Sequence, residues 1–463
     1  MVRIFNVYYP SRTFVLLCSE LFLTVVCFLT SALILHGRGS YHALVTVSGL
    51  CQLVVMALVC LCCMHYFDLY DTRTFRSKWN LVSRLFQVLG TAALALGLIY
   101  YVFPRIVAIP GLYFLASPML LCTLFLLRVG FVYVNEASDQ AQRVVLVGRS
   151  QLGSDLAREI RQRPELGINI VGYVDDNAVD GGAPIAVPRL GETSALQQIV
   201  AGSRIEAAIV ALEDRRGRLP VETLLKLRIG GMPIYEARTA YERITGKIPV
   251  QDLRPSWLIF SDGFRTHARM TQIQRAYSFV AALIGLLVCL PVMALIAVLV
   301  KLESKGPILF KQERVGKDGK TFLLYKFRSM RADAEAKSGP VWTIDNDPRV
   351  TRIGGLMRKS HLDELPQLWN VLRGDMNVVG PRPERPEFME LLEAEVPYYA
   401  HRHIVRPGIT GWAQVRYNYG STVEEQCEKL RHDLYYIKHV SPALDFVIIF
   451  ETVKIVLWGR GAK

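Results

Sequence analysis

The sequence has few charged residues for a chain of 463 residues, and its cysteines show no pattern of disulfide pairing. Charged residues make up only 21% of the chain, hydrophobic residues 51%, and the mean hydropathy is +0.25. This composition excludes an ordinary soluble enzyme and indicates membrane segments. Eight of the nine cysteines lie in apolar runs, where a thiol acts as a small buried hydrophobe, so we expect no disulfide framework. The same apolar flanks favour packing over metal binding for Cys60, Cys62 and Cys63.

Acidic residues are scarce relative to basic ones. Lysine and arginine number 54 against 41 aspartates and glutamates, which gives a formal net charge of +13. Such an excess suits anionic lipid or a phosphate-bearing substrate. No recognised nucleic-acid-binding motif is present, so we expect no nucleic-acid partner. The first apolar run has 22 residues, which is too long for the core of a cleavable signal peptide.

Four long apolar runs open the chain, and each is long enough to cross a bilayer as a helix. They are Phe14–Leu35, Ala43–Phe67, Leu85–Phe103 and Gly111–Val134. Cations concentrate before the first run and between the second and third runs. The positive-inside rule therefore predicts that both termini of this four-helix unit face the cytoplasm. The cations are Arg3, Arg12, Arg73, Arg76, Lys78 and Arg84, against Arg38 and Arg105 on the other side. Glu20 lies near the cytoplasmic end of the first run, where we expect a packing or interfacial role.

Strand and helix patterns alternate in the middle of the chain, from about residue 138 to residue 264. Buried-strand patterns occur at RVVLVG, INIVGYVDD and IEAAIVALED, and a helix near Pro220–Arg228 leads to MPIYEA. This alternation predicts a parallel, Rossmann-like α/β domain. Gly148 and Gly153 resemble a dinucleotide fingerprint, and Asp175 and Asp176 resemble ribose-binding acids. Ser150, however, replaces the glycine that lets backbone approach a pyrophosphate. We therefore favour a regulatory or dimerising domain over a nucleotide site.

A fifth apolar run, Tyr277–Val300, is flanked by cations on both sides. Arg265, Arg269 and Arg275 precede it, and Lys301, Lys305 and Lys311 follow it. Cations at both ends favour one cytoplasmic face for the two flanks. Pro291 inside the run lacks a backbone donor and favours a kink. We therefore predict a re-entrant helix–break–helix over residues 277–302, and the alternative is a proline-kinked fifth span.

Two adjacent acids, Asp363 and Glu364, stand before a predicted short helix that Pro366 begins and Gly374 ends. Free N–H groups and the helix dipole favour anions at such a position. Cations surround the pair in the sequence, which suits chemistry on phosphates; they are Arg352, Arg358, Lys359, Arg373, Arg382 and Arg385. The alternative is a capping aspartate beside a solvated basic face.

These residues lie in a series of motifs that resembles a known family, the bacterial polyprenyl-phosphate hexose-1-phosphate transferases of the monotopic phosphoglycosyl transferase superfamily. The motifs are KGPILFKQERVG, YKFRSM, NDPRVTRIG, RKSHLDELPQLWNVLRGDMNVVGPRP and RPGITGWAQV, and the resemblance covers about residues 270–463. It implies three parts: a membrane α-helical bundle over 1–137, a Rossmann-like α/β domain over 138–264 and an α+β monotopic catalytic domain over 265–463. It also implies a protein of the bacterial inner membrane with its catalytic domain on the cytoplasmic face.

The resemblance implies transfer of a hexose-1-phosphate from a UDP-sugar to undecaprenyl phosphate, with release of UMP, in exopolysaccharide or O-antigen initiation. It gives Asp363 the role of nucleophile, Glu364 that of supporting a catalytic Mg²⁺, Arg358 that of binding the lipid phosphate and Pro291 that of bending the re-entrant helix. Where the family often has serine before this proline, the chain has Leu290. We place further phosphate or substrate contacts at five residues: Lys326, Arg328, Arg352, Arg382 and Glu384.

Two other functions are compatible with the residues. A membrane-anchored nucleotide-sensing scaffold would use Gly148, Gly153 and Asp175, and a metal-dependent phosphatase would use an aspartyl phosphate without a lipid acceptor. The sequence does not specify the sugar, although the long form of the family favours glucose or galactose. Further expected partners are membrane lipid and a second copy of the chain, paired through the middle domain. Asp345, Asp347 and Arg349 are candidates for shaping a nucleotide loop, and Asp347–Pro348 is equally a plain turn.

Overall fold

The computed structural model describes residues 2–4, 7–70, 78–137, 141–176, 187–212, 219–253, 255–261, 263–264, 268–331, 347–417 and 422–458. Four residues used in the predictions lie outside these ranges: Arg73, Arg76, Arg265 and Asp345.

The N-terminal part is a helical bundle that follows a short hairpin. Its elements are β1 (Val2–Ile4), β2 (Val7–Tyr9), α1 (Ser11–His36), α2 (Ser40–Val45), α3 (Val47–Tyr66), α4 (Lys78–Val102) and α5 (Leu112–Ala137). All four predicted runs are helical, but the second is divided. Thr46 is extended and its hydroxyl accepts from Gly49 N at 3.1 Å, so it caps α3 and separates it from α2.

The bundle buries an apolar core and leaves further apolar side chains on its outer faces. Phe28, Met56, Leu85 and Leu120 are fully buried, one from each long helix. Within the described residues, α1, α3, α4, most of α5 and one later helix are long and apolar enough to cross a membrane. Many large apolar residues therefore face outward where lipid would cover them.

A buried ion pair joins α1 to α5. The Glu20 and Arg128 side chains are in contact and both are 0% exposed, and Arg128 also donates to the Leu69 carbonyl. A buried charge is tolerated only with such partners. This placement agrees with the packing role expected for Glu20.

The middle domain is a five-stranded parallel sheet with helices around it. Its elements are β3 (Gln142–Val147), α6 (Gln151–Gln162), β4 (Ile168–Val174), β5 (Arg189–Gly191), α7 (Leu196–Gly202), β6 (Ala207–Val210), α8 (Val221–Ile229), β7 (Ile234–Glu236) and α9 (Ala237–Thr245). The strand order is β5-β4-β3-β6-β7, with every pair parallel. This is the order of the first five strands of a doubly wound dinucleotide-binding fold.

The glycine-containing turn after β3 is filled by the protein itself. Gly148 has φ +93°, and a Cβ there would lie 2.4 Å from Leu212. The Ser150 hydroxyl accepts from Gly153 N at 3.1 Å and caps α6. The Asp176 carboxylate accepts from the Thr193 amide at 2.8 Å. Local packing and capping therefore account for the glycines without a bound nucleotide.

The C-terminal part mixes helices with two small sheets. Its elements are α10 (Pro255–Phe260), α11 (Ala268–Glu303), β8 (Leu309–Val315), β9 (Thr321–Phe327), α12 (Arg352–Lys359), α13 (Gln367–Arg373), β10 (Asn377–Val379), α14 (Met389–Glu395), β11 (Gly408–Thr410), α15 (Trp412–Arg416), α16 (Val423–Lys438) and α17 (Pro442–Trp458). Strands β8 and β9 form an antiparallel hairpin, and β10 pairs with β11 in parallel.

The helix that contains Pro291 has no non-helical break at that residue, and its re-entrant course remains a prediction. Helix α11 is helical from Ala268 to Glu303, with Pro291 inside it. A proline removes one backbone hydrogen bond and crowds the preceding turn, and the bonds of the neighbouring turns keep the helix continuous. Both halves of α11 pack on the C-terminal domain. Ala282 packs with Val371 of α13, and Val300 packs with Met357 of α12.

Polar contacts join the three parts. On α9, Glu242 accepts from Lys438 Nζ and contacts His439 Nε2, both at 2.7 Å. The Trp412 indole donates to the Gly246 carbonyl at 2.9 Å. Helix α17 contacts the bundle, where Glu451 lies 3.1 Å from His65. The catalytic candidates are thus held on a domain that both other parts contact.

Candidate active site

The two acids lie in a tight turn between α12 and α13. His361 has φ +55°, a left-handed conformation that reverses the chain, and residues Leu362–Glu364 form a 3₁₀ turn. Helix α13 then begins at Gln367 and ends at Arg373, where Gly374 has φ +99°. The predicted helix limits are confirmed. The acids precede the first helical turn rather than occupying it.

Glu364 is held by two cations from different elements. Lys326 Nζ of β9 donates to Glu364 Oε1 at 2.7 Å, and Arg382 Nη2 donates to the same oxygen at 2.6 Å. Arg382 Nη1 also reaches the other oxygen at 3.4 Å. Burial opposes ionisation of Glu364, but Arg382 and Lys326 outweigh it and hold the pKa of this carboxyl well below its usual range. Glu364 is therefore a fixed, ionised carboxylate.

Asp363 is the less restrained of the two acids. Its residue is 7% exposed, and among the described residues no donor lies within hydrogen-bond distance of its carboxylate. Burial, together with the neighbouring charge of Glu364, raises the pKa of Asp363, and Lys326 and Arg358 oppose that shift. The site therefore combines one anchored carboxylate with one whose oxygens remain available to react.

Arg358 lies one helical turn before the acids. Its Nε donates to the Ser329 hydroxyl at 2.9 Å, while its two terminal nitrogens contact no acceptor in the described part of the chain. Burial lowers the pKa of Arg358, and the nearby charges of Asp363 and Asp347 counteract this. The guanidinium is thus oriented on one edge and open on the other, as an anion-binding arginine requires.

The remaining predicted contacts are not gathered at the acids. Arg328 donates to the Ser304 carbonyl at 2.7 Å and to the Lys305 carbonyl at 3.0 Å, so it holds the chain after α11. Arg352 is exposed at the start of α12. Glu384 is buried 3.9 Å from Arg314 and from Arg402. The structure therefore assembles Lys326, Arg358, Asp363, Glu364 and Arg382, and gives Arg328 and Glu384 protein partners; phosphate contacts by Arg328, Arg352 and Glu384 remain predictions.

The loop before α12 carries a second acid–base pair. Asp347 accepts from Arg349 Nε at 2.8 Å and from the Arg349 amide at 3.0 Å. These hydrogen bonds lower the pKa of Asp347, and the charge of Arg358 acts in the same direction. Asp347 therefore orders the turn beside Arg358.

Sequence comparisons identify the family. The profile described as bacterial sugar transferase matches residues 269–459, and the profile described as CoA-binding domain matches residues 65–226. A UDP-glucose:undecaprenyl-phosphate glucose-1-phosphate transferase of Xanthomonas campestris pv. campestris is 33% identical over 425 residues, which cover 86% of this chain and 85% of the relative. The chain belongs to the bacterial polyprenyl-phosphate hexose-1-phosphate transferases.

Two further relatives of this transferase match over less of their length. A UDP-N-acetylgalactosamine-undecaprenyl-phosphate N-acetylgalactosaminephosphotransferase of Aeromonas hydrophila is 41% identical over 240 residues, 52% of this chain and 56% of the relative. An undecaprenyl-phosphate glucose phosphotransferase of Komagataeibacter xylinus is 33% identical over 331 residues, 70% of this chain and 60% of the relative. The chain therefore spans less than two thirds of these two relatives.

The side chains of the transferase site fit Mg²⁺ only if substrate phosphates supply some of its ligands. Among the described residues, no group of three or more acidic, histidine or cysteine side chains could hold a metal ion. Mg²⁺ is commonly held by one or two carboxylates together with substrate phosphates and water. Asp363 and Glu364 supply such carboxylates, although Glu364 already accepts from Lys326 and Arg382. The residues thus fit an ion that arrives with a diphosphate, and they do not form a protein-only cage.

Several buried polar residues around the transferase site were not predicted from the sequence. Arg402 and Asp433 are 3% and 1% exposed and are paired at 2.8 Å. Asn370 on α13 is fully buried, donates to the Leu323 carbonyl at 2.7 Å and accepts from Tyr325 N at 3.1 Å. In the sequence they look like surface charges or a helix polar face. The only signal was the location of Asn370 between the acids and Gly374.

Proposed function

We propose that this transferase moves a hexose-1-phosphate from a UDP-sugar to undecaprenyl phosphate and releases UMP. The observation that carries the proposal is the contrast within the acid pair. Glu364 is fixed by Lys326 and Arg382, whereas Asp363 is buried beside the same cations with its oxygens unpaired. The Xanthomonas campestris relative is named for the same donor and acceptor classes, and the Komagataeibacter xylinus relative for the same acceptor.

The reaction proceeds in two displacements at one phosphorus atom. An Asp363 oxygen attacks the β-phosphorus of the UDP-sugar, and the bond from that phosphorus to the bridging oxygen breaks. UMP leaves with the bridging oxygen and its electron pair. A phosphate oxygen of undecaprenyl phosphate then attacks the same phosphorus, and the bond to Asp363 breaks. The products are free Asp363 and a lipid diphosphate sugar, so atoms and charge balance.

The cations offset the repulsion between a carboxylate and a phosphate. Two unit charges about 4 Å apart interact by about 4 kcal/mol at an effective dielectric of 20. Lys326, Arg358 and Arg382 supply positive charge where negative charge accumulates. Mg²⁺, when bound with the diphosphate, neutralises charge on its oxygens. Arg358, open on one edge, is the residue we assign to the lipid phosphate.

We also propose that α11 enters and leaves the membrane on the cytoplasmic face of the bacterial inner membrane. A straight helix of 36 residues is roughly 54 Å long, against a hydrocarbon core of about 30 Å. Its early and late turns pack on α13 and α12, and both of these helices carry arginines. Because charged helices pack near both ends of α11, we favour a bend of α11 at Pro291 over a crossing of the membrane. A reporter fused after Arg314 tests this, since a periplasmic reporter would indicate a full span.

The middle domain is proposed to regulate or dimerise the enzyme. Its turn after β3 is filled by Leu212, and its contacts through Glu242 connect it to α16. Mass measurement of the purified protein in lipid nanodiscs, with and without residues 138–264, tests dimerisation. An unchanged monomer in both would contradict that role.

A UMP-release assay on the purified protein tests the function and identifies the sugar. The donors are UDP-glucose, UDP-galactose and UDP-N-acetyl sugars, each with and without undecaprenyl phosphate. We expect lipid-dependent UMP release, and the relative that matches 86% of this chain favours glucose as donor for exopolysaccharide or O-antigen initiation. UMP release that does not need the lipid would indicate a phosphatase. No release with any donor would favour the nucleotide-sensing scaffold.

A further inference from the structure

The proline-rich segment 381–384 carries Arg382 to the acid pair, and every carbonyl in it accepts a hydrogen bond. The four donors come from two stretches of the chain, residues 314–315 and 402–408: Gly408 N to Pro381 O at 3.0 Å, Arg402 Nη2 to Arg382 O at 2.9 Å, Arg314 Nη1 to Pro383 O at 3.0 Å and Val315 N to Glu384 O at 2.9 Å. The first and last are backbone donors. The two central donors are arginine side chains.

Proline explains why the carbonyls carry these bonds. Pro381 and Pro383 have no backbone N–H, so the segment cannot be held in place by a regular ladder of donors. Buried backbone groups nevertheless need partners. The carbonyl oxygens of residues 381–384 are the groups through which the segment can be bound. The two central ones, of Arg382 and Pro383, accept from long side chains.

Arg402 is built to bind one of these carbonyls. It is 3% exposed, and its Nη2 also donates to Asp433 of α16 at 2.8 Å. Tyr399 accepts from its Nη1, and the guanidinium lies 5.0 Å from the centre of the Tyr399 ring. A buried guanidinium is stable only when its charge and donors are matched. Asp433 therefore fixes Arg402, and Arg402 in turn fixes the backbone of Arg382.

Arg314 binds the next carbonyl. Strand β8 carries it, and its Nη2 donates to Gln312 Oε1 at 2.6 Å while its Nη1 reaches Pro383. Burial lowers the pKa of Arg314 to about 10, and the charge of Glu384 counteracts this. The segment is thus held both by β8 and by the Arg402–Asp433 pair.

We propose that Arg402 and Arg314 are positioning residues that hold segment 381–384 so that Arg382 keeps its contacts with Glu364. This inference rests on the proposed function of the acid pair. Arg402 acts through the backbone of Arg382 and needs no contact with substrate. Lysine at position 402 would offer one nitrogen in place of a planar fork, and it could not bind Asp433 and the carbonyl in the same geometry.

A double-mutant cycle tests the proposal on the full-length protein in nanodiscs. We expect Arg382→Ala to lower kcat by about 10²- to 10³-fold, since it removes a charge at the reacting phosphate. Arg402→Lys should lower kcat about tenfold with an unchanged KM for undecaprenyl phosphate, since residues coupled through one group share their effect. The double variant should be no slower than Arg382→Ala alone, to within about twofold.

The control and the second variant separate positioning from folding. Arg431→Lys on α16 is the matched control, because Arg431 is partly buried and pairs with Glu428 at 3.0 Å without contacting the segment; it should leave kcat unchanged in both backgrounds. Asp433→Asn, which keeps the side-chain shape, should repeat the Arg402→Lys pattern if that variant does not fold. Multiplicative effects in the cycle would overturn the proposal. Wild-type protein that releases no UMP would instead contradict the proposed function.

Discussion

Replacing Lys326 with methionine removes one of the two cations on Glu364 while keeping the length of the side chain. Lys326 Nζ lies 2.7 Å from Glu364 Oε1, and the two side chains are 18% and 12% exposed. A full charge pair about 4 Å apart contributes about 4 kcal/mol at a dielectric of 20. Burial, which lowers the pKa of Lys326, offsets part of this. We therefore expect a loss of about 2 to 3 kcal/mol in transition-state stabilisation, or about 10²-fold in kcat/KM.

The stability of the same variant should change much less than its activity. Removing one partner of a buried pair costs about 3 to 5 kcal/mol when the other charge is left unpaired. Here Arg382 stays 2.6 Å from Glu364, so a smaller loss is expected. The assay is UMP release with a thermal melt on the same sample. Lys311→Met on β8 is the control, because Lys311 is exposed and pairs across the hairpin with Tyr325. A Lys326→Met enzyme with kcat/KM within threefold of wild type would refute the assigned role.

Three further predictions use other contacts. Ser329→Ala removes the hydroxyl that orients Arg358, so the KM for undecaprenyl phosphate should rise severalfold while the KM for the UDP-sugar stays constant, which steady-state kinetics will reveal. Glu242→Gln weakens two contacts between the middle and catalytic domains, so calorimetry should show a melting temperature that is about 2–4 °C below that of the wild type. Burial lowers the pKa of His403 and of His432 to about 4. As the pH falls, these histidines take up protons in the unfolded chain before they do so in the folded protein, so the stability of the fold should decrease between pH 6.5 and pH 4. Replacing both histidines with asparagine should flatten that part of the melting-temperature profile, and an unchanged slope would contradict the assignment.

Periodicity and helix punctuation predicted most of the elements. Pro366 and Gly374 bounded α13 correctly, because a proline tolerates a first turn and a glycine tolerates positive φ. The buried-strand patterns of the middle domain were also found as strands. These features depend on local backbone preferences, which a sequence displays directly.

Features that depend on tertiary partners were not visible in the sequence. The apolar run Ala43–Phe67 looks uniform in the sequence, but Thr46 divides it. The Thr46 hydroxyl accepts from Gly49 N and caps α3, which separates it from α2. The carbonyls after α11 that Arg328 binds were not foreseen, and Arg402 was not singled out. An arginine that binds substrate and one that binds backbone look alike until the fold shows which acceptors surround them.

The central claim is that Asp363 carries the phosphosugar between donor and acceptor. Intact-mass and peptide mass spectrometry can test it directly, after brief incubation of the purified protein with UDP-glucose and Mg²⁺ but no lipid. The account predicts a mass increase of one hexose phosphate on the peptide containing Asp363, which is lost on addition of undecaprenyl phosphate and absent in Asp363→Asn. Lipid-dependent turnover by Asp363→Asn, or strict binding of both substrates before any UMP appears, would contradict it.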